Sequence, residues 1–226
     1  MKTYAVFGAS GTLGGVIVDE LINSGSNVIK LTRGNAKPDY FSTSGSNWTD
    51  QIKNFGPLDG VVWAQGFNKS DSIADFDVNI LNIHIDANVT YIINTLHQML
   101  ESKVLVANSK LIILSSIWQD FGKSSKLSYM TSKSAIRGLV SSLAIDLAKF
   151  NISVNAVLPG VIDTPMTSKN LSALQLEIVI KETPLGRLAT PGNVAKTVVW
   201  LASENSDGIT GQFITVDNGW SSYRNV

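Results

Sequence analysis

The chain has no cysteine, which excludes disulfide stapling and thiolate chemistry and is compatible with a reducing compartment. Only two histidines are present, His84 and His97; they are poorly placed as joint ligands and no carboxylate cluster completes a set, so no metal site is expected. A surface or interface role is expected for both. Basic and acidic residues balance at 18 each, leaving no basic field for nucleic acid. No apolar run is long enough to span a bilayer, and the first residues read as a strand and a turn rather than a charged leader. A cytoplasmic protein that binds no membrane is therefore expected. What is present is 226 residues with 44% hydrophobic content, enough for one domain over residues 1–226 with a large core.

Strand-like and helix-like segments alternate along this length. Strands are expected at 2–8, 27–32, 39–42, 58–64, 110–115, 152–158 and 212–216, and helices at 12–24, 48–54, 77–101, 127–150 and 192–202. Such alternation implies an α/β fold: a Rossmann-like, doubly wound parallel sheet in three layers, α/β/α. Only Gly34 to Pro38 separate the second strand from the third, whereas a helical crossover needs about a dozen residues. The crossover between strands 2 and 3 is therefore shortened. Trp48 and Trp200 are expected in the core.

The chemistry concentrates where strands end. Gly8-Ala-Ser10-Gly11-Thr12-Leu13-Gly14 follows an apolar strand and opens a helix, an arrangement suited to a nucleotide pyrophosphate. Its glycines allow close backbone approach, and the helix N-terminus presents free N–H groups and positive potential. Trp63-Ala64-Gln65-Gly66 ends another strand in small residues, Ser115-Ser116 a third, and Pro159-Gly160 a fourth. In open α/β sheets ligands bind beyond these carboxyl ends. On the helix that follows Ser116, Tyr129 and Lys133 lie four residues apart and share a face. The lysine ammonium is expected to lower the phenol pKa and make it a general acid or base.

Together these motifs resemble the short-chain dehydrogenase/reductase family from Tyr4 to about Trp220. The family's catalytic Asn, Ser, Tyr and Lys are similar to Asn88, Ser116, Tyr129 and Lys133, and the thirteen-position step from Ser116 to Tyr129 favours Ser116 over Ser115. Asn155 to Thr164 resembles the family's N-x-x-x-P-G-x-x-x-T segment. Two departures stand out: Thr12 takes the place of the middle glycine of the usual turn, and Trp63-Ala-Gln-Gly66 replaces N-N-A-G. The resemblance implies hydride transfer between a nicotinamide and a carbonyl or alcohol. Tyr129 would supply the proton, Ser116 would hold the carbonyl oxygen, Lys133 would stabilise the phenolate and bond the cofactor ribose, and Asn88 would support a water path. Cofactor contacts are implied at Gly8, Ser10, Gly11, Thr12, Leu13, Gly14, Ala64, Gly66, Tyr129, Lys133, Pro159, Gly160, Ile162 and Thr164.

Beyond the second strand, Thr32 is not acidic and Arg33 follows it, which favours NADP(H), whose 2′-phosphate an arginine can grip, over NAD(H), which remains possible. Phe67, Trp118, Phe121 and Met166 follow strand ends and are candidates for substrate contact. The stretch from Met166 to Ile180 reads equally as a substrate lid or a surface helix. The resemblance implies a homo-oligomer, a tetramer, formed by pairing of the two long helices, with Ile92, Leu96, Leu139 and Leu143 as apolar surplus. A non-catalytic dinucleotide-sensing or scaffold protein of the same fold, and an epimerase or dehydratase using transient oxidation, are the alternatives.

Overall fold

The computed structural model describes residues 1–34, 39–45 and 47–222. Seven parallel strands, β1 (Thr3–Phe7), β2 (Asn27–Thr32), β3 (Tyr40–Ser42), β4 (Leu58–Trp63), β5 (Leu105–Leu114), β6 (Ser153–Pro159) and β7 (Phe213–Val216), form one sheet in the order β3-β2-β1-β4-β5-β6-β7. The order reverses at β1, which places a crevice between the ends of β1 and β4. The helices are α1 (Thr12–Asn23), α2 (Trp48–Lys53), α3 (Val78–Ile85), α4 (Tyr91–Glu101), α5 (Leu127–Asp146), α6 (Pro165–Asn170), α7 (Ala173–Glu182) and α8 (Pro191–Ala202).

The inner strands β1, β4 and β6 are buried on both faces, as parallel strands with helices above and below must be. Ala5, Phe7, Val61, Trp63, Leu111 and Ile113 face one core with Ile92, Leu96, Met99, Ile136 and Val140 from α4 and α5. The alternate residues Val6, Val62 and Ile112 face a second core with Ile17 and Leu21 of α1 and Val194, Val198 and Leu201 of α8. Period-two alternation along each strand thus supplies both interfaces. The helix starts are fixed locally: Thr190 and Asn193 form a reciprocal capping box at α8 with Pro191 in the first turn, and Ser172 and Gln175 do the same at α7.

Most boundaries fall close to expectation, and the differences have local causes. The single helix expected over 77–101 is α3 and α4 joined by a π-helical turn, Asp86–Thr90, that carries the buried Asn88. The helix expected to reach Phe150 ends at Asp146; a 3-10 turn follows, and Asn151 closes it with φ +57°. β5 starts five residues before Lys110 and shifts register between Leu58 and Gly60; the Ser109 hydroxyl bonds the Leu58 carbonyl at 2.8 Å there. A polar Asn-Ser pair hid that half of the strand. Among the described residues no helix lies between β2 and β3, and β3 is only three residues long; Asn35, Lys37 and Pro38 of the expected polar loop lie outside the described residues.

Three expectations need correction. Trp48 is core at 2% exposure, but Trp200 is 39% exposed, because Val194, Val198 and Leu201 already occupy the sheet-facing stripe of α8. His84 is fully buried rather than a surface residue: Nδ1 lies 2.8 Å from the Ile80 carbonyl and Nε2 accepts from the Lys69 N–H at 3.2 Å. Ile92 and Leu96 are consumed by the chain's own core, and Leu139 and Leu143 pack partly against it, so they are not a surface surplus.

Candidate active site

The ends of β1, β4, β5 and β6 bring the predicted residues to one edge of the sheet. At the end of β1, Gly8 has φ +71°, and a Cβ there would stand 2.6 Å from the Gln65 nitrogen. A Cβ on Gly14 would stand 2.1 Å from the Gly8 carbonyl oxygen. Both positions require glycine, the first for its dihedral and its closeness to β4, the second for the packing of α1 on the turn. Gly11 is the N-cap of α1 and offers no capping side chain, so the helix N-terminus, with Ser10, Thr12 and Leu13 around it, is left to bind from its backbone.

Beside this turn the Gln65 side chain is buried at both its amide oxygen and nitrogen, with no hydrogen-bond partner among the described residues. An orphaned buried amide costs on the order of 1–3 kcal/mol. A polar ligand entering between the glycine turn and Gly66 would meet that cost. The free helix N-terminus, the glycine turn and this amide together fit a dinucleotide.

Tyr129 and Lys133 come from the first turns of α5. The start of that helix is pinned from a distance by buried Asp71, whose carboxylate accepts the Ser128 N–H at 3.0 Å and the Ser128 hydroxyl. The Ser116 hydroxyl faces the Tyr129 hydroxyl and acts to lower its pKa, while Ser116 Oγ accepts the Trp118 N–H at 3.3 Å. Ser115 is occupied elsewhere, donating to Gln119 Oε1 at 2.7 Å, so Ser116 is the hydroxyl that meets the phenol. Lys133 is buried, its Nζ donating to the Leu114 carbonyl at 2.9 Å and lying 5.9 Å from the centre of the Tyr129 ring.

The electrostatics differ from the sequence expectation. Burial pushes the Tyr129 phenol above its ordinary value, and the Ser116 hydroxyl only partly opposes this. Burial pushes the Lys133 ammonium down to about 8. Desolvation, rather than the lysine charge, therefore dominates the phenol.

Asn88 sits behind these groups at 1% exposure. Its Oδ1 accepts the Phe67 N–H at 2.8 Å, and its Nδ2 donates to the Phe67 carbonyl at 3.1 Å and to Ser132 Oγ at 2.8 Å. A Cβ on Gly66 would stand 3.4 Å from Asn88 Oδ1 and 3.8 Å from Lys133 Nζ, which places Gly66 over both, while Ala64 lies against Gly8, its carbonyl carbon 3.0 Å from where a Cβ on that glycine would stand. Ser132 went unnoticed in the sequence, although its position three residues after Tyr129 puts it on the same helical face. Nothing in the sequence pointed to Asp71, which lies 57 residues from its partner.

Arg33 is half exposed beyond β2, ion-paired with Asp86 and 5.2 Å from the Tyr91 ring centre. At the end of β6, Pro159 leads to Gly160, whose N–H bonds the Val216 carbonyl at 3.0 Å. Ile162 bridges to Ala189, and the Thr164 hydroxyl caps α6 through the Thr167 N–H at 3.2 Å. Of the candidate substrate residues, Phe67 packs edge-on to His84 at 4.8 Å, Trp118 edge-on to Trp220 at 5.4 Å, and both Trp118 and Phe121 rest on the core. Met166 lies in α6, and its side chain is outside the described residues. The segment expected as a lid or a surface helix forms α6 and α7, and no residue of α7 is buried.

The family described as enoyl-(acyl carrier protein) reductase matches residues 43–221. A 3-oxoacyl-(acyl-carrier-protein) reductase of Rickettsia felis is 33% identical, over 96% of each chain. An uncharacterized oxidoreductase of Bacillus subtilis, YmfI, is 30% identical over 97% of this chain and 98% of its own. Among solved structures, a short-chain dehydrogenase family protein from Francisella tularensis superposes with a TM-score of 0.86 at 28% identity, over 99% of this chain and 100% of its own. An aldohexose dehydrogenase from Thermoplasma acidophilum does so with a TM-score of 0.88 at 26% identity, covering 100% and 96%. This chain belongs to the short-chain dehydrogenase/reductase family of oxidoreductases.

Proposed function

We propose that the protein is a nicotinamide-dependent oxidoreductase that interconverts a carbonyl and an alcohol, with NADP(H) preferred over NAD(H) and Tyr129 as its general acid and base. The observation that carries this reading is the buried Lys133 ammonium, fastened to the Leu114 carbonyl and 5.9 Å from the centre of the Tyr129 ring, with Ser116 facing the phenol, at the strand edge that also bears the glycine turn. The reductase names of the relatives support it.

Gly8, Ser10, Gly11, Thr12, Leu13 and Gly14 would hold the diphosphate, and Arg33 the adenosine end. Ala64, Gly66, Tyr129 and Lys133 would hold the central ribose, with Pro159, Gly160, Ile162 and Thr164 at the nicotinamide. The bound cofactor supplies or accepts the hydride. Every other requirement falls to the chain.

Ser116 fixes the substrate oxygen beside the phenol, so that developing charge meets a pre-placed donor. Because burial holds the phenol pKa high, Tyr129 is protonated at neutral pH, which is the state needed to deliver a proton in the reductive direction. Lys133, charged below about pH 8, offsets part of the cost of the phenolate left behind. Asn88 holds the Phe67 backbone and Ser132 in place behind these groups. Phe67, Trp118, Phe121 and Met166 would shape the substrate side. Apolar residues that stay exposed on the long helices, Ile83, Ile93 and Ile145 among them, support a homo-oligomeric, tetrameric assembly.

NADPH and NADH oxidation with a panel of ketones, quinones and 3-oxoacyl thioesters is the test. Turnover that Tyr129→Phe abolishes while cofactor binding persists is expected; equal activity in the variant and the parent overturns the assignment.

A further inference from the structure

The loop between β5 and α5, which leads into the helix of Tyr129, carries two lysines. Lys123 Nζ lies 4.6 Å from the Trp118 ring centre. Lys126 Nζ lies 6.0 Å from the Tyr129 ring centre and donates to Asn68 Oδ1 at 2.7 Å and Ser70 Oγ at 3.0 Å. Both residues are partly buried. Among the described residues neither forms an ion pair, although lysines usually extend their ammonium into water.

The nearby carboxylates are committed to other partners. Asp120 holds Arg137 through two hydrogen bonds, at 3.1 and 2.8 Å. Asp71 holds the backbone and hydroxyl of Ser128. Burial lowers the pKa of both lysines, and the charge of Lys123 lowers that of Lys126 further, while Asp71 opposes this. The two cations thus repel each other in a partly dry place. Holding them there is unfavourable unless an anion joins them.

We propose that the substrate carries an anionic group, a carboxylate or a phosphate, a few bonds from its reacting carbonyl, and that Lys123 and Lys126 jointly hold that group. This rests on the oxidoreductase reading above and adds to it the substrate class: a compact oxo acid or phosphorylated hydroxyketone, with the corresponding alcohol. The Asn68 and Ser70 contacts aim Lys126, and the Trp118 ring supports Lys123. The Lys126 ammonium lies 6.0 Å from the centre of the Tyr129 ring, whose hydroxyl would donate to the substrate oxygen, and this favours a short spacing between anion and carbonyl over a charge at the end of a long chain.

Two measurements on the full-length chain test this. In the first, malonate, uncharged malonamide and inorganic phosphate are titrated calorimetrically into the parent, into Lys126→Arg and into the double variant Lys123→Gln/Lys126→Gln. Malonate or phosphate is expected to bind about tenfold or more tightly than malonamide. The double variant should lose that difference and Lys126→Arg should keep it. The stronger of the two anions tells carboxylate from phosphate. No measurable anion binding at millimolar concentration, or binding unchanged in the double variant, overturns the proposal.

In the second, kcat/KM is compared for short oxo acids and their methyl esters, for phosphorylated and free hydroxyketones, and for the N-acetylcysteamine thioester of a 3-oxo acid. Selectivity for the charged member of each pair, falling towards one in the double variant, is expected. Preference for the esters or for the neutral thioester overturns the proposal. Absence of turnover with every compound counts against the oxidoreductase reading alone, since the anion titration does not depend on it.

Discussion

The Lys133 ammonium donates to the Leu114 carbonyl at 2.9 Å, a bond that fastens α5 to the end of β5 and keeps a positive charge 5.9 Å from the centre of the Tyr129 ring. The charge is held at a cost. The folded-state pKa is depressed to about 8 from 10.5, so the unfolded chain binds the proton more tightly. Between these values the unfolded state carries more protons, and the contribution of this group to stability rises with pH; below about 8 the penalty is complete. Lys133→Met should therefore raise stability near neutral pH by up to about 3 kcal/mol and flatten the dependence between pH 8 and 10.5, while abolishing turnover. Urea denaturation across that range checks it, and a destabilised Lys133→Met would show that the Leu114 hydrogen bond outweighs the buried charge.

The same pKa directions set a pH profile for catalysis. Tyr129 stays protonated through neutrality because burial raises its pKa, and Lys133 loses its charge near pH 8. Reductive kcat/KM is expected to be level below about pH 8 and to fall above it as Lys133 deprotonates. Ser116→Ala should lower kcat about 100-fold without moving that limb, because the serine does not titrate. A limb displaced by Ser116→Ala, or absent from the parent, would detach Lys133 from the reaction.

Cofactor choice should depend on Asp86 as much as on Arg33. The arginine is engaged by Asp86 and leans on Tyr91, so a 2′-phosphate would compete with a carboxylate for the same guanidinium. Asp86→Asn is expected to tighten NADPH binding several-fold with little effect on NADH, whereas Arg33→Asp should reverse the preference. Fluorescence titration of both cofactors against both variants measures this. Identical affinity ratios in all three proteins would remove Arg33 as selector.

Oligomeric state is checked by light scattering. Ile145 is 77% exposed on α5, and Ile83 and Ile93 are about half exposed on α3 and α4. A monomer at micromolar concentration would end the proposal of self-association. Should an oligomer form, Ile145→Glu is expected to shift it towards smaller species by burying an unpaired charge.

The strands and their ends were legible because period-two apolar runs punctuated by glycine or serine leave few alternatives, and Gly8, Gly66, Ser116 and Gly160 all sit at such ends. What escaped was non-local. The burial of His84 depends on the Lys69 backbone folding over it. The exposure of Trp200 depends on which stripe of α8 the sheet accepts. The engagement of Arg33 depends on Asp86, 53 residues away in sequence. The phenol pKa escapes the sequence for a related reason: the spacing of Tyr129 and Lys133 gives proximity, but desolvation is set by what covers them.

Asn88 provides the sharpest test of how the π-helical turn supports the site. Its amide makes three hydrogen bonds, accepting the Phe67 N–H and donating to the Phe67 carbonyl and Ser132 Oγ, and the residue is 1% exposed. Asn88→Ala would strand the Phe67 N–H and carbonyl without their partner and open space behind Gly66, for a loss on the order of 2–4 kcal/mol. Asn88→Asp would still accept from Phe67 but could not donate while ionised, and its carboxylate would face the Phe67 carbonyl at close range. Both variants should therefore lose amide protection at Phe67 and Lys69 relative to the parent, with the alanine variant the greater loser at Phe67. Hydrogen exchange of residues 66–71, measured with denaturation curves on the same samples, reads this directly. Unchanged protection at Phe67 in Asn88→Ala would mean that the loop is held by the His84 contact to Lys69 alone, and that Asn88 does not position the edge of the site.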